Sequence, residues 1–337
     1  MSVTPNYFPK GSRILVTGAN GYVASNVIQH LVEAGYKVRG TVRTPKPWLD
    51  EMFKENFGED SFESVVLPNF DDVDSLFCAM ADVSGVAHVA SDVSFGTNLK
   101  DVIPWVVRAV QNFLEAASRQ PSVQRVVMTS SGVTARAPKP NKDYVTVYED
   151  TWNDEAIKAA LDPTTPERAK GLLGYCASKT EAEKAAWQWI KENNPRFTFN
   201  AILPCYTIGR VLHEKINGST MGWVRDLLTG DRQIFSLYVP LDVIDIARLH
   251  ALALLNPNIV SQRIFGFGSP LNLTDIVSIL RKLRPENKQI PNAPEIDWNE
   301  ESIILPAKKA EKLLQDFCGR KGWTTAEDSI AEGIRGY

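Results

Sequence analysis

Residues 13–43 constrain this chain more than any other stretch. A short apolar run, Arg13–Thr17, leads into Val16-Thr17-Gly18-Ala19-Asn20-Gly21-Tyr22-Val23-Ala24. A helical pattern follows to about Ala34, with Val23, Val27, Ile28 and Leu31 at helical spacing. Gly35 stops it as a C-terminal cap residue, and Lys37–Val42 reads as a second strand. Strand, glycine turn, helix and strand make a βαβ unit, and the returning helix sets its two strands parallel. In the spacing Gly18-x-x-Gly21-x-x-Ala24, Gly18 permits a tight turn and Gly21 lets backbone approach a pyrophosphate with no Cβ in the way. Ala24 is small enough for close helix–strand packing. The helix start then offers free N–H groups and the positive end of a dipole to phosphate. The stretch reads as a dinucleotide-binding turn.

The alternation continues. A charged, proline-containing stretch precedes a third strand near Ser64–Leu67, a helix over Asp72–Met80, a fourth strand at Gly85–Ala90, a helix over Ile103–Ala117 and a fifth strand at Val126–Thr129. From Gly132 to Lys170 the rhythm breaks into a loop with Pro138 and Pro140 and a polar, irregular segment. A long helix over Leu172–Glu192, a sixth strand at Thr198–Leu203, and helices over Val243–Leu254 and Leu273–Leu283 follow. The expected fold is α/β: a Rossmann-type doubly wound parallel sheet with a smaller C-terminal substrate-binding lobe. Residues 1–205 are expected to form mainly the nucleotide-binding part, with 240–262 returning to it. Residues 206–239 and 263–337 are expected to form mainly the lobe.

The chain of 337 residues is ample for a sizeable core. A formal net charge of −3 gives no reason to expect nucleic acid or an anionic membrane as partner. No apolar run reaches the ~18 residues of a membrane span. Met1–Arg13 lacks the apolar stretch of a signal peptide. The four cysteines, Cys78, Cys176, Cys205 and Cys318, are scattered, with no C-x-x-C pair and no histidine at ligand spacing. No metal is expected, and unclustered thiols suit a reducing, cytoplasmic setting.

Tyr175 and Lys179 stand four positions apart in a helical stretch, which puts a phenol and an ammonium on one face. A free phenol, with a pKa of about 10, is a poor acid–base group near neutrality. A neighbouring ammonium lowers that value. Tyr175 is then expected to give its proton to a carbonyl oxygen as hydride reaches the carbon, and Lys179 also to bond the nicotinamide ribose. Thr129-Ser130-Ser131 ends a strand, so the Ser131 hydroxyl lies at the carboxyl end of a parallel sheet, where ligands bind. There it can orient the substrate oxygen. Each residue also has a plain reading, as boundary tyrosine, solvated lysine or strand-ending serine. Their coincidence with a dinucleotide turn favours the catalytic one.

The second strand, Val38-Arg39-Gly40-Thr41-Val42-Arg43, lacks the acidic residue that would bond the ribose hydroxyls of NAD. Arg43 sits where a 2′-phosphate would lie, and a guanidinium can hold it bidentately, with Arg39 able to assist. NADP(H) is the expected cofactor. Asn112 is a weaker candidate, either bonding backbone or holding a water in a proton path.

These segments resemble the extended short-chain dehydrogenase/reductase superfamily. The likeness is greatest to the NADPH-dependent aldehyde and ketone reductases of fungi and yeasts, relatives of plant dihydroflavonol 4-reductases. Further markers are Gly85-Val86-Ala87-His88-Val89-Ala90-Ser91, Tyr175-Cys176-Ala177-Ser178-Lys179-Thr180-Glu181-Ala182-Glu183 and Asn200-Ala201-Ile202-Leu203-Pro204-Cys205-Tyr206-Thr207-Ile208-Gly209. The resemblance implies a catalytic Ser131, Tyr175 and Lys179. It implies cofactor contacts from Gly18, Asn20, Gly21, Tyr22, Val23, Arg43, Ala90, Ser91, Thr129, Tyr175 and Lys179. Pro204, Tyr206 and Thr207 correspond to the family's contacts with the nicotinamide end. Asn69 stands where the family often has an aspartate reaching toward adenine, and Arg108-Ala109-Val110 replaces a usual Gly-Gly-Thr run. Asp245 would cap a recurring family helix.

By motif position the substrate pocket is lined by Ser94, Phe95, Ser131, Gly132, Tyr206 and Trp223, with the Pro138–Pro140 loop at its entrance. Phe95 and Trp223 suit an apolar or aromatic carbonyl compound. The expected activity is NADPH-dependent reduction of aldehydes or ketones to alcohols by a monomer or homodimer. Two rivals share parts of the pattern. A nucleotide-sugar epimerase or dehydratase of the same superfamily would hold its nicotinamide tightly and consume none on balance. A non-catalytic NADP-binding redox sensor commonly lacks the Tyr–Lys pair.

Overall fold

A computed structural model of the chain describes residues 7–91, 99–136, 145–231, 239–295 and 302–337. The first half alternates as its apolar periods require. Arg13–Val16 (β1), Tyr22–Glu33 (α1), Lys37–Val42 (β2), Pro47–Phe57 (α2), Phe62–Val66 (β3), Val73–Ala79 (α3), Gly85–His88 (β4), Leu99–Arg119 (α4) and Arg125–Thr129 (β5) follow in order. Then come Thr146–Val147 (β6), Asp154–Leu161 (α5), Glu167–Asn193 (α6), Thr198–Pro204 (β7), Thr207–Ile208 (β8), Thr220–Asp226 (α7), Leu241–Asp242 (β9) and Val243–Leu255 (α8). Arg263–Gly266 (β10), Leu273–Leu283 (α9), Ile303–Ile304 (β11), Leu305–Cys318 (α10) and Ala326–Gly333 (α11) complete the chain.

Seven strands form one sheet in the order β10-β7-β5-β4-β1-β2-β3, every pair parallel. The chain winds from β1 outward through β2 to β3, then returns to β4 on the other flank of β1. That reversal leaves a crevice beyond the carboxyl ends of β1 and β4, where open α/β sheets bind ligands.

Helices cover both faces, so the strands are apolar on both sides. Ile14, Val16 and Val127 pack with Val27, Ile28 and Leu31 of α1 and Leu249 and Leu254 of α8. Leu15, Val86, Val126 and Met128 face the other way, onto Leu76 of α3, Phe113 and Leu114 of α4 and Ala182 and Ala186 of α6. A third cluster, including Ile208, Met221, Val224, Ile276, Leu280 and Ile330, forms the smaller lobe and takes in Tyr22 from α1.

Several expectations change. Arg263–Gly266, assigned mainly to the lobe, is the edge strand of the main sheet, in register with Ala201–Pro204 of β7. Ala310 and Leu314 of α10 join the cluster that holds Ile264, so part of the C-terminal segment also packs against the sheet. The proline-containing stretch after β2 is helix α2, with Pro47 in its first turn, where the missing N–H is not needed. The polar segment contains α5, capped by Asn153, whose side chain accepts from Ala156 N at 3.1 Å. Helix α8 is capped by Asp242, not Asp245: Asp242 Oδ1 accepts from Ile244 N at 2.8 Å. Asp245, one turn in, pairs with Arg248 at 2.7 Å and accepts from Thr324 N.

Candidate active site

The crevice is laced together by Thr17. Its hydroxyl accepts from Val89 N and Ala90 N, each at 3.0 Å, so its own proton is left for His88 Nδ1, also at 3.0 Å. His88 is thereby neutral. Burial first, then the charge of Lys179, pushes it down to about 3. Gly18 follows with φ +70°, and a Cβ there would lie 3.1 Å from that of Ala90. Gly18 N donates to Thr41 Oγ1 and Ala19 N to Thr41 O, which ties the turn to β2. Gly21 precedes α1, and no side chain caps the helix. Its first-turn N–H groups therefore remain available to an anion, beside the partly exposed Gly18, Asn20, Gly21 and Val23.

Tyr22 differs from the sequence expectation: its side chain is buried and its hydroxyl donates to Gly209 O at 2.9 Å. Only its backbone remains for a ligand. The two arginines of β2 also separate. Arg39 pairs with Glu63 at 2.8 Å and donates to the carbonyls of Ala79 and Ala81, so it holds β2 to its neighbours and does not assist Arg43. Arg43 is exposed at the strand's end, with no ion pair among the described residues. Asn69 is exposed and accepts from Asp71 N. Asn112 donates to Phe70 O and Asp71 O, the backbone-bonding alternative.

On the other side of the crevice, β5 ends at Thr129 and the chain turns through Ser130 and Ser131 into a short 3-10 turn, Gly132–Thr134. Tyr175, Lys179 and Glu183 lie on successive turns of α6. Ser131 lies close enough to Tyr175 for its hydroxyl to favour the ionised form of the phenol. Lys179 is buried and donates to Ser91 Oγ at 3.2 Å and Thr129 O at 3.0 Å. Burial pushes its ammonium down to about 8, against an opposing pull from Glu183.

Burial is also the largest influence on the Tyr175 phenol and pushes it up. The Ser131 hydroxyl pulls it down, and Cys176 and Cys205 push it up; the expected lowering by Lys179 is not among the causes. The phenol thus stays protonated, which is the form that can donate to a carbonyl oxygen.

Three further expectations shift in detail. The Thr129 hydroxyl points to His250 Nε2 at 2.7 Å, leaving its carbonyl for Lys179. The Thr207 hydroxyl bonds Cys205 O, and Pro204 closes β7. Gly132 is backed by Phe267, whose ring would meet a Cβ at 2.5 Å, so only backbone is left there to line a pocket. Tyr206 and Trp223 do meet, with ring centroids 6.3 Å apart. Ser94, Phe95, Pro138 and Pro140 lie outside the described residues.

The sequence reading missed a buried cluster behind the serine. Glu183 receives Ser130, Thr134, Trp187 and Arg263. Its place four residues beyond Lys179 on the same helical face was the available signal; nothing local marks Arg263.

Residues 14–265 match the model of the NAD dependent epimerase/dehydratase family. The chain belongs to that family, the extended short-chain dehydrogenases/reductases that its motifs resemble. It is 43% identical to Ketoreductase nvfG of Aspergillus novofumigatus, over 97% of this chain and 96% of that protein. It is 36% identical to Aldehyde reductase 2 of Sporidiobolus salmonicolor, over 96% and 95% of the two chains. Among solved structures it is similar to yeast methylglyoxal/isovaleraldehyde reductase Gre2 complexed with NADPH. There the TM-score is 0.79 at 26% identity, covering 96% of this chain and 97% of that one.

Proposed function

We propose that the protein is an NADPH-dependent reductase that converts aldehydes or ketones to alcohols. The observation that carries this reading is the convergence of Ser131 at the end of β5 with Tyr175 and Lys179 on successive turns of α6, the lysine buried and bonded to Ser91 Oγ and Thr129 O beside the glycine turn. The names of its ketoreductase and aldehyde reductase relatives support the same chemistry.

The residues present suit the cofactor. The uncapped start of α1 and the Gly18 turn fit a pyrophosphate. Arg43, exposed and with no ion pair among the described residues, fits a 2′-phosphate, and Asn69 an adenine edge. Ala90, Ser91, Lys179 and the backbone of Pro204–Thr207 would border the ribose and nicotinamide. When bound, NADPH supplies the hydride that adds to the carbonyl carbon. The Ser131 hydroxyl orients the carbonyl oxygen, and Tyr175 gives that oxygen its phenolic proton. The phenolate left behind is stabilised by the Ser131 hydroxyl. Tyr206 and Trp223 offer an aromatic wall, which favours apolar or aromatic carbonyl compounds.

The test is NADPH oxidation against a panel of aldehydes, α-keto esters and aryl ketones, with Tyr175→Phe alongside. Turnover of some carbonyls is expected, and a loss of roughly 10²–10⁴-fold in kcat for the variant with NADPH affinity kept. An unchanged rate in Tyr175→Phe removes the proton-donor assignment.

A further inference from the structure

Glu183 takes no part in the chemistry above, yet it is the best-connected carboxylate beside the site. Its side chain is fully buried. Oε1 accepts from Arg263 Nε at 2.8 Å and Trp187 Nε1 at 3.2 Å. Oε2 receives the hydroxyls of Ser130 and, at 2.7 Å, Thr134. The guanidinium of Arg263 lies 3.9 Å from the Trp152 ring centroid and donates to the carbonyls of Glu149 and Thr151.

A pair that served stability alone would need only Glu183 and Arg263. The other two donors are placed more tellingly. Ser130 immediately precedes Ser131, and Thr134 follows it by three residues, with both its N–H and its hydroxyl near Ser131 O. The carboxylate therefore grips the chain on both sides of Ser131. It fastens that segment to the helix that carries Tyr175 and Lys179.

We propose that Glu183 is a positioning residue, which sets the Ser131 hydroxyl against Tyr175 by clamping Ser130 and Thr134 to α6. The inference rests on the reductase reading above. Its charge has a second effect. Lys179 is faced by Glu183 from α6, by His88 and Ser91 from the β4 side and by the Thr129 carbonyl from β5. Cys205 stands beside Tyr175, and Arg263 of β10 stands behind Glu183. Of these groups, Glu183 is the one that favours the lysine's charged form against burial. Removing its charge leaves Arg263 unneutralised and lets Lys179 lose its proton at lower pH.

Two variants separate the effects. Glu183→Gln keeps the shape and removes the charge. Ser130→Ala/Thr134→Val keeps the charge and removes both hydroxyls. Each is assayed for kcat, for NADPH affinity by fluorescence titration and for the pH dependence of kcat/KM. In both, kcat is expected to fall at least ~10-fold, because a small misplacement of reacting groups is costly, with NADPH affinity within about twofold of the parent. The alkaline limb of the profile is expected to move to lower pH in Glu183→Gln alone. Parent-like kcat and an unmoved limb in both variants overturn the proposal, provided Tyr175→Phe is inactive. If Tyr175→Phe retains full turnover, the reductase mechanism fails instead. Equal losses of kcat and NADPH affinity in Ser130→Ala/Thr134→Val also overturn it, since a purely structural cluster would give that pattern.

Discussion

The two sides of the cleft are built by different means. On the β1–β2 side the groups of the proposed cofactor site are mainly backbone: a glycine turn pressed against Ala90 and tied to Thr41, and an uncapped helix start. Arg43, the charge proposed to meet the 2′-phosphate, stands exposed. On the β5–α6 side the groups are side chains, and their charges are buried: Lys179 among oxygens, Glu183 against Arg263. The difference teaches where each side is fragile. Backbone recognition tolerates changes in neighbouring side chains, whereas a buried charge cluster fails when any one member is lost.

The largest expected effect is on the buried side. Arg263→Met leaves Glu183 as an uncompensated buried charge, and the free energy of denaturant unfolding should fall by about 3–5 kcal/mol. A change under ~1 kcal/mol would mean that the cluster is far less tightly coupled than its geometry implies.

On the open side, Arg43→Ala should raise the KM for NADPH by roughly 10–100-fold, as expected for a lost charge-assisted hydrogen bond. The KM for NADH should barely move, and stability should stay within about 0.5 kcal/mol. Equal effects on the two cofactors would break the contrast.

Acid sharpens it further. His88 and His250 are held neutral by burial, pushed down to about 3 and about 4. The unfolded chain binds these protons first, near the ordinary value of 6.5. Stability should therefore decline as pH falls below that value toward 4 and then 3, each group adding up to about 1.4 kcal/mol per pH unit. Unfolding measured across that range should be shallower for His88→Phe; an unchanged slope would place the acid sensitivity elsewhere.

The smallest effect belongs to Arg39→Gln. Its partner Glu63 is about half exposed, so the loss should be about 0.5–1 kcal/mol with no change in either cofactor's KM.

The same contrast explains what the sequence disclosed. The glycine turn was legible because a βα junction is contiguous, and its glycines have local reasons. Tyr175 and Lys179 were legible because helical spacing fixes their common face. The Glu183 cluster was hidden because Arg263 lies 80 residues away and meets it only when β10 joins the sheet. A four-residue strand carries no mark of its neighbour, which is also why Arg263–Gly266 was assigned to the lobe. Arg39 misled because its position beside Arg43 gave no sign that Glu63 of β3 would claim it. Helix α2 was obscured by a proline that in fact begins it. Tyr22 was placed by its motif, but its ring turns inward because the lobe's core reaches α1.

That inward turn has a practical consequence for recombining relatives of this protein. Tyr22 and Asn26 on α1 bond the carbonyls of Gly209 and Arg210, so the opening helix is stitched to a segment far downstream. A chimera that grafts a foreign back half onto this front half keeps those stitches only if its backbone carbonyls at 209 and 210 take the same positions. Swaps intended to alter selectivity should therefore exchange small inner patches, such as the proposed pocket pair Tyr206 and Trp223, and leave the seam whole.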